Sequence, residues 1–145
     1  MKKARNPRKA LLIISDGGDN SSRYTETEIK KLVREADVQI YAIGITDPAN
    51  DTLAGFGRSV LEEVTRMTGG RAFFPTSINE LEGICAQIGV DLKNQYVIGY
   101  RPLNLSSDGK WRKIKVKIKG PSGMPSLSVR AKTGYYASTI AKVMR

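Results

Sequence analysis

Residues 8–20 read RKALLIISDGGDN, and the fold turns on how that stretch is taken. Ala10, Leu11, Leu12, Ile13 and Ile14 form an unbroken apolar run. It is far too short to span a bilayer and lacks the period-two alternation of a half-wet strand. An apolar run of this length, ending abruptly in polar turn residues, suits a strand buried on both faces of a parallel sheet. Ser15, Asp16, Gly17, Gly18, Asp19 and Asn20 follow directly. Ligands of parallel α/β sheets sit beyond the carboxyl ends of the strands, which puts Asp16 on the functional edge.

Working outward, Thr25 and Glu28 have the spacing of a capping box, and Ile29, Leu32, Val33 and Ala36 then recur along one helical face. Residues 38–45 (VQIYAIGI) read as the next strand, ending at Thr46, Asp47 and Pro48. Strand, helix and strand at this spacing make a right-handed crossover with parallel strands, so Asp16 and Asp47 are expected on the same sheet edge. Residues 47–57 read as a loop. A second helix is expected from a Ser59–Glu62 capping box, striped by Leu61, Val64 and Met67 and stopped by Gly69 and Gly70. A short third strand at 71–74 closes at Pro75. The third helix starts at Ser77, capped by Glu80, with Leu81, Ile84, Cys85, Ile88 and Leu92 on its apolar face. Gly83 and Gly89 either weaken that helix or admit a close neighbour.

The pattern then changes. Residues 95–100 (QYVIGY), 111–119 (WRKIKVKIK) and 126–132 (SLSVRAK) read as strands joined by Pro- and Gly-bearing turns. Ile114, Val116 and Ile118 alternate with Lys113, Lys115, Lys117 and Lys119, the signature of a half-buried antiparallel strand with a cationic outer face. The tail at 137–145 reads equally as helix or as frayed chain. The fold class is therefore α/β: a partial doubly wound, Rossmann-like parallel sheet with flanking helices, plus a C-terminal antiparallel β extension.

Bulk composition narrows the chemistry. The chain has 145 residues, 40% hydrophobic and 26% charged, enough for one globular domain with a core. Its 24 Lys+Arg against 14 Asp+Glu give a formal net charge of +10, a balance that attracts nucleic acid, acidic proteins or anionic surfaces. There is no histidine and one cysteine, Cys85. That removes Ser-His-Asp and Cys-His mechanisms, an internal disulfide and a thiolate zinc cluster. Any metal must be held by oxygens, which points to magnesium, calcium or manganese. The basic start MKKARNPRK followed by an apolar run imitates a signal peptide, but the run is too short and no small-residue cleavage site follows.

SDGGDN at the end of an apolar strand, followed by VQIYAIGI, TGGRAFF and NQYVIGYRP, resembles the von Willebrand factor A (VWA) domain, in the bacterial subfamily that ends in a short β extension. The resemblance covers residues 8–137 and only the second half of the family's domain. It divides the chain into a half-domain at 1–94, an antiparallel extension at 95–137 and a tail at 138–145. Complete members are doubly wound sheets of about six strands. They bind a divalent cation at a metal-ion-dependent adhesion site and use it to capture a partner's carboxylate. That site combines an Asp-x-Ser-x-Ser loop, a threonine from a middle loop and an aspartate after the fourth strand. Asp16 matches the last piece, with Ser15, Gly17 and Gly18 as its surroundings; no Asp-x-Ser-x-Ser segment occurs here.

The resemblance thus implies an incomplete site, Ser15, Asp16 and Asp47, with weak magnesium or another oxygen-ligated divalent cation. It also implies that the strand at 10–14 has lost its usual neighbour, leaving a flat apolar edge that invites pairing with another chain. A homodimer or a complementing half-domain is expected to cover it. Many proteins of this resemblance are exported, which points to the cell envelope, although the directing segment is missing from this chain.

Each reading has a plainer rival. Asp16 is a relic of the metal site or a turn aspartate bonding its own loop. Asp19 and Asn20 are ligands or, more simply, loop and cap residues, and Asp47 before Pro48 is a turn initiator. Gly17 and Gly18 lack the flanking residues of a phosphate loop. Cys85 reads as a small core residue. Lys113, Lys115 and Lys117 are phosphate-binding candidates or a solvated sheet face; Tyr100, Trp111, Tyr135 and Tyr136 nearby favour single-stranded nucleic acid slightly. The expected function is a non-catalytic protein–protein interaction, adhesion or assembly module. Its alternatives are polyanion binding by the basic surface and a metal-dependent enzyme using Asp16 and Asp47.

Overall fold

The computed structural model describes residues 8–15, 25–45, 51–123, 125 and 127–139, with backbone alone at 51–56. Three parallel strands, β1 (Ala10–Ser15), β2 (Gln39–Gly44) and β3 (Ala72–Phe73), lie in the order β1-β2-β3. β1 runs beside β2 in unbroken register from Ala10 opposite Gln39 to Ser15 opposite Gly44. β3 pairs only Ala72 with Ala42 and Phe73 with Ile43.

β2 is the centre of the core because alternate side chains of a strand reach opposite faces. On one face Ile40 packs with Val33 of α1 (Glu26–Glu35) and with Val64 and Met67 of α2 (Asp51–Thr68). On the other, Tyr41 and Ile43 pack with Ile88 of α3 (Leu81–Lys93), joined by Phe73, Leu81, Ile84 and Leu92. Helices thus cover both faces. The strand buried on both faces is β2, not the one at 10–14: Leu11, Leu12 and Ile14 are 40%, 45% and 62% exposed. Only Ile13 of β1 packs against the core. The reason is position, since β1 is the outermost strand and, among the described residues, no strand pairs with its outer edge.

Local chemistry sets the helix ends. At α1, Thr25 Oγ1 accepts from the Glu28 N–H at 3.3 Å while the Thr25 N–H donates to Glu28 Oε2 at 2.8 Å, completing the expected capping box. Leu32 departs from the expected stripe and is half exposed. α2 begins at Asp51, so the expected loop to 57 is helical in its second half and Ser59 sits inside the helix. Glu62 bonds Arg58 one turn back at 3.2 Å instead of reaching back to a cap. Val60, Val64 and Met67 bury against the sheet, and that packing outweighs the roughly 1 kcal/mol that each helical glycine costs. Gly69 ends α2 at φ +82°, and a Cβ on Gly70 would fall 1.8 Å from the Ile40 carbonyl oxygen, so only glycine fits. Buried Thr68 Oγ1 donates to the Thr65 carbonyl at 2.9 Å and accepts from the Ile40 N–H at 2.9 Å.

Ser77 and Glu80 form the expected box around a 3-10 turn (Ile78–Glu80) that leads into α3. Nothing approaches within 4 Å of where a Cβ on Gly83 or Gly89 would lie, so these glycines only weaken the helix. Cys85 is exposed, not a core residue: Leu81, Ile84, Ile88 and Leu92 already fill the narrow face that three strands offer.

In the extension, β4 (Trp111–Lys113) and β5 (Gly134–Tyr136) pair antiparallel, Trp111 opposite Tyr136. The ladder is prolonged only by Ile114 N–H to the Thr133 carbonyl at 2.8 Å and Ala137 N–H to the Lys110 carbonyl at 2.9 Å. Residues 95–100 and 127–132 carry no ladder, and the strand expected over 111–119 stops at Lys113, because β5 is only three residues long. Val116 and Ile118 are consequently exposed. The extension is fastened to the body by Lys132 Nζ to the Ala36 carbonyl (3.0 Å), the Thr133 N–H to the Met67 carbonyl (3.2 Å), Arg130 to Asp91 (2.7 Å) and the Arg34 guanidinium over the Trp111 ring (5.5 Å). Thr139 bridges Asp108, and the tail beyond it lies outside the described residues. Among the described residues no helix is long and apolar enough to cross a membrane.

Candidate functional site

Three features present chemistry to solvent: the carboxyl edge of the sheet, the outer edge of β1, and the cationic side of the extension. At the carboxyl edge, Ser15 closes β1 opposite Gly44, and the Ile45 N–H donates to the Ser15 carbonyl at 2.8 Å. Ser15 and Ile45 therefore lie side by side at this edge. Asp16, Asp19, Asn20 and Asp47, the other candidate residues, lie outside the described residues, as do Gly17 and Gly18. After β3 the same edge carries Thr76, Ser77 and Glu80. Thr76 Oγ1 donates to Glu80 Oε1 at 2.7 Å, and the Thr76 and Ser77 N–H groups donate to it at 3.2 and 3.1 Å. The Thr76 hydroxyl, with the two N–H groups, holds the Glu80 carboxyl below its ordinary value.

A magnesium-type cation takes six oxygens in near-octahedral order. On the described part of this edge the one carboxylate, Glu80, is committed to closing a helix start, and among the described residues no cluster of three His, Cys, Asp or Glu is grouped to hold a metal. The described donor set does not fit a cation on its own.

The outer edge of β1 presents six residues of strand, ALLIIS, with no charge and no proline. Strands left open at a sheet edge are normally blunted by lysine, proline or a bulge. None of these interrupts β1.

In the extension, Lys113, Lys115 and Lys117 are exposed, and among the described residues none of them pairs with a carboxylate. The aromatic residues beside them pack on one another. Trp111 meets Tyr136 edge-on with centroids 5.0 Å apart, and Tyr100 meets Tyr135 at 6.3 Å. Trp111 is further covered by Arg34. Tyr100 and Tyr136 remain 56% and 37% exposed beyond these contacts.

A groove of about 380 Å³ at the opposite, amino edge is lined by Arg66, Arg71, Arg130, Glu62, Thr65 and Thr133. Arg66 and Arg71 flank Gly69 and Gly70, but Arg130 lies far along the chain, so no local motif announces the three together. Arg130 is paired with Asp91, Arg71 stacks on Phe73 at 4.7 Å, and Glu62 is bonded to Arg58, which leaves the groove without a convergent set of donors. Comparison with protein-family models, with curated proteins and with solved structures finds no match for this chain.

Proposed function

We propose that this chain is a non-catalytic assembly module of VWA type, which binds a protein partner by accepting a strand along the outer edge of β1. The reading is supported by one observation above the rest: an uncharged strand, with Leu11, Leu12 and Ile14 exposed, that among the described residues has a paired strand on one side, β2. Strand addition of this kind draws affinity from main-chain hydrogen bonds and specificity from alternate side chains. The VWA part of the proposal rests on SDGGDN at the strand's outgoing end. In it, Ser15, Asp16 and Asp47 hold a divalent cation weakly and leave its remaining positions to water or to a partner's carboxylate. The test is solution mass across a concentration series for the chain and for Leu12→Lys. Reversible association, weakened at least about tenfold by a charge at that edge with helicity unchanged, is the expected result. A protein that stays at the 15.9 kDa of one chain throughout, or whose association ignores the lysine, overturns the proposal.

A second reading rests on Lys113, Lys115 and Lys117, exposed and without carboxylate partners among the described residues. It makes the extension a polyanion-binding surface. Affinity for a single-stranded oligonucleotide would then fall steeply as salt rises and would weaken when the three lysines are replaced by serine. Association with protein that does not weaken as salt rises favours the first reading.

A further inference from the structure

We infer that the strand covering β1 is residues 96–100 of a second copy of this chain, each copy giving its own segment to the other. The inference rests on the proposed strand addition and supplies its partner.

Among the described residues β2 is the one strand that pairs with β1, and the side chains of Leu11, Leu12 and Ile14 stand open. A second stretch of the same chain has the same defect. Tyr96, Val97 and Ile98 are 91%, 85% and 74% exposed, and among the described residues no backbone hydrogen bond ties 96–99 to the rest of the molecule. Tyr, Val and Ile are residues that favour strands, and unsatisfied extended backbone seeks a ladder. The segment is nonetheless held at both ends. Gln95 Nε2 donates to Gln39 Oε1 at the start of β2, and the Tyr100 ring rests edge-on against Tyr135. Five residues of strand span about 17 Å and six about 20 Å, so the segment and β1 are matched in length.

The other extended stretches do not qualify. Residues 114–119 alternate with Lys115, Lys117 and Lys119, which oppose pairing with a copy of an already cationic chain. Residues 127–132 are committed through Arg130 to Asp91 and through Lys132 to the Ala36 carbonyl. The stretch at 96–100 is uncharged, as β1 is, and ends at Arg101 and Pro102, which stop a ladder from running on. Reciprocal exchange covers both open surfaces in each copy at once. Pairing β1 with β1 would leave Tyr96, Val97 and Ile98 in water.

Complementation tests the exchange, read by sedimentation over a concentration series. Leu12→Lys blocks the acceptor and leaves the donor segment intact. Val97→Pro blocks the donor, at a residue open enough to leave the fold unchanged by circular dichroism. Each variant alone is expected to dissociate at least about tenfold more readily than the unaltered chain. Mixed in equal amounts, they are expected to recover association through the one acceptor and one donor still intact. A Val97→Pro chain that dimerises as the unaltered one does, while Leu12→Lys does not, overturns the exchange and leaves strand addition at β1 standing. Mixtures that remain monomeric overturn it too. An unaltered chain that is monomeric at all concentrations removes both proposals.

Discussion

At the scale of single residues, two short reciprocal bonds decide where helices begin. The Thr25 N–H and Thr25 hydroxyl hold the Glu28 carboxyl below its ordinary value, and Thr76 does the same for Glu80. A carboxyl held low in the folded state adds stability that is complete above its unfolded value near 4.5 and is lost as pH falls through the folded value. The protein should therefore lose stability on acidification below pH 4.5, in the window set by these two groups. Replacing Thr25 by alanine is expected to cost about 1 kcal/mol at neutral pH. The gap between Thr25→Ala and the unaltered chain should narrow in acid, because the carboxylate half of the box is then already gone. Urea unfolding at neutral and acid pH measures both effects; an undiminished gap in acid would assign the stabilisation to the threonine oxygen alone.

At the scale of elements, β1 and β2 carry similar apolar sequences and occupy opposite situations. Ile43 is buried between Tyr41's face of the sheet and α3, so Ile43→Ala should cost about 3 kcal/mol. Leu12 lies on the open strand, and Leu12→Ala should cost about 1 kcal/mol or less in the monomer. Urea unfolding at low protein concentration compares them, and equal losses would mean that β1 is covered even in a single chain. The same contrast shows what was legible in sequence. The caps at Thr25 and Ser77 were readable because both partners lie within four residues. The parallel pairing of β1 and β2 followed from a helix between two apolar runs. Which run is enclosed was not readable, since five apolar residues look alike whether one neighbour or two will flank them. The early start of α2 was hidden by Gly55 and Gly57, whose local preference is overridden by packing further along. The strands expected at 95–100 and 126–132 have the right composition, yet a strand exists only where a partner edge is offered. Of the candidate site, Ser15 and the three lysines lie among the described residues, whereas the arginine groove is assembled from positions over 60 residues apart, 66 to 130, that no window of sequence connects.

At the scale of the whole molecule, a net charge of +10 works against compaction and against self-association. The exposed ion pairs of Arg58 with Glu62 and Arg112 with Asp108 offset little of this, because such pairs contribute about 1 kcal/mol or less. Raising ionic strength from about 20 mM to about 200 mM shortens the screening length severalfold and should raise both the melting temperature and the association constant. Thermal melts and sedimentation at the two salt levels read this directly. A fall in both would mean that attractive pairs, not repulsion among lysines and arginines, dominate the surface field.

The last carbonyls of a helix have no partner within it, and here two helices borrow theirs from far along the chain. Lys132, 96 residues after Ala36, brings a cation to the end of α1, and Thr133, 66 residues after Met67, supplies an N–H to the end of α2. The β extension is thus a clasp on the α/β layer. Severing the polypeptide after residue 94 would open the helix ends it closes, so the two parts are expected to ripen together during folding, with the first synthesised waiting on the last.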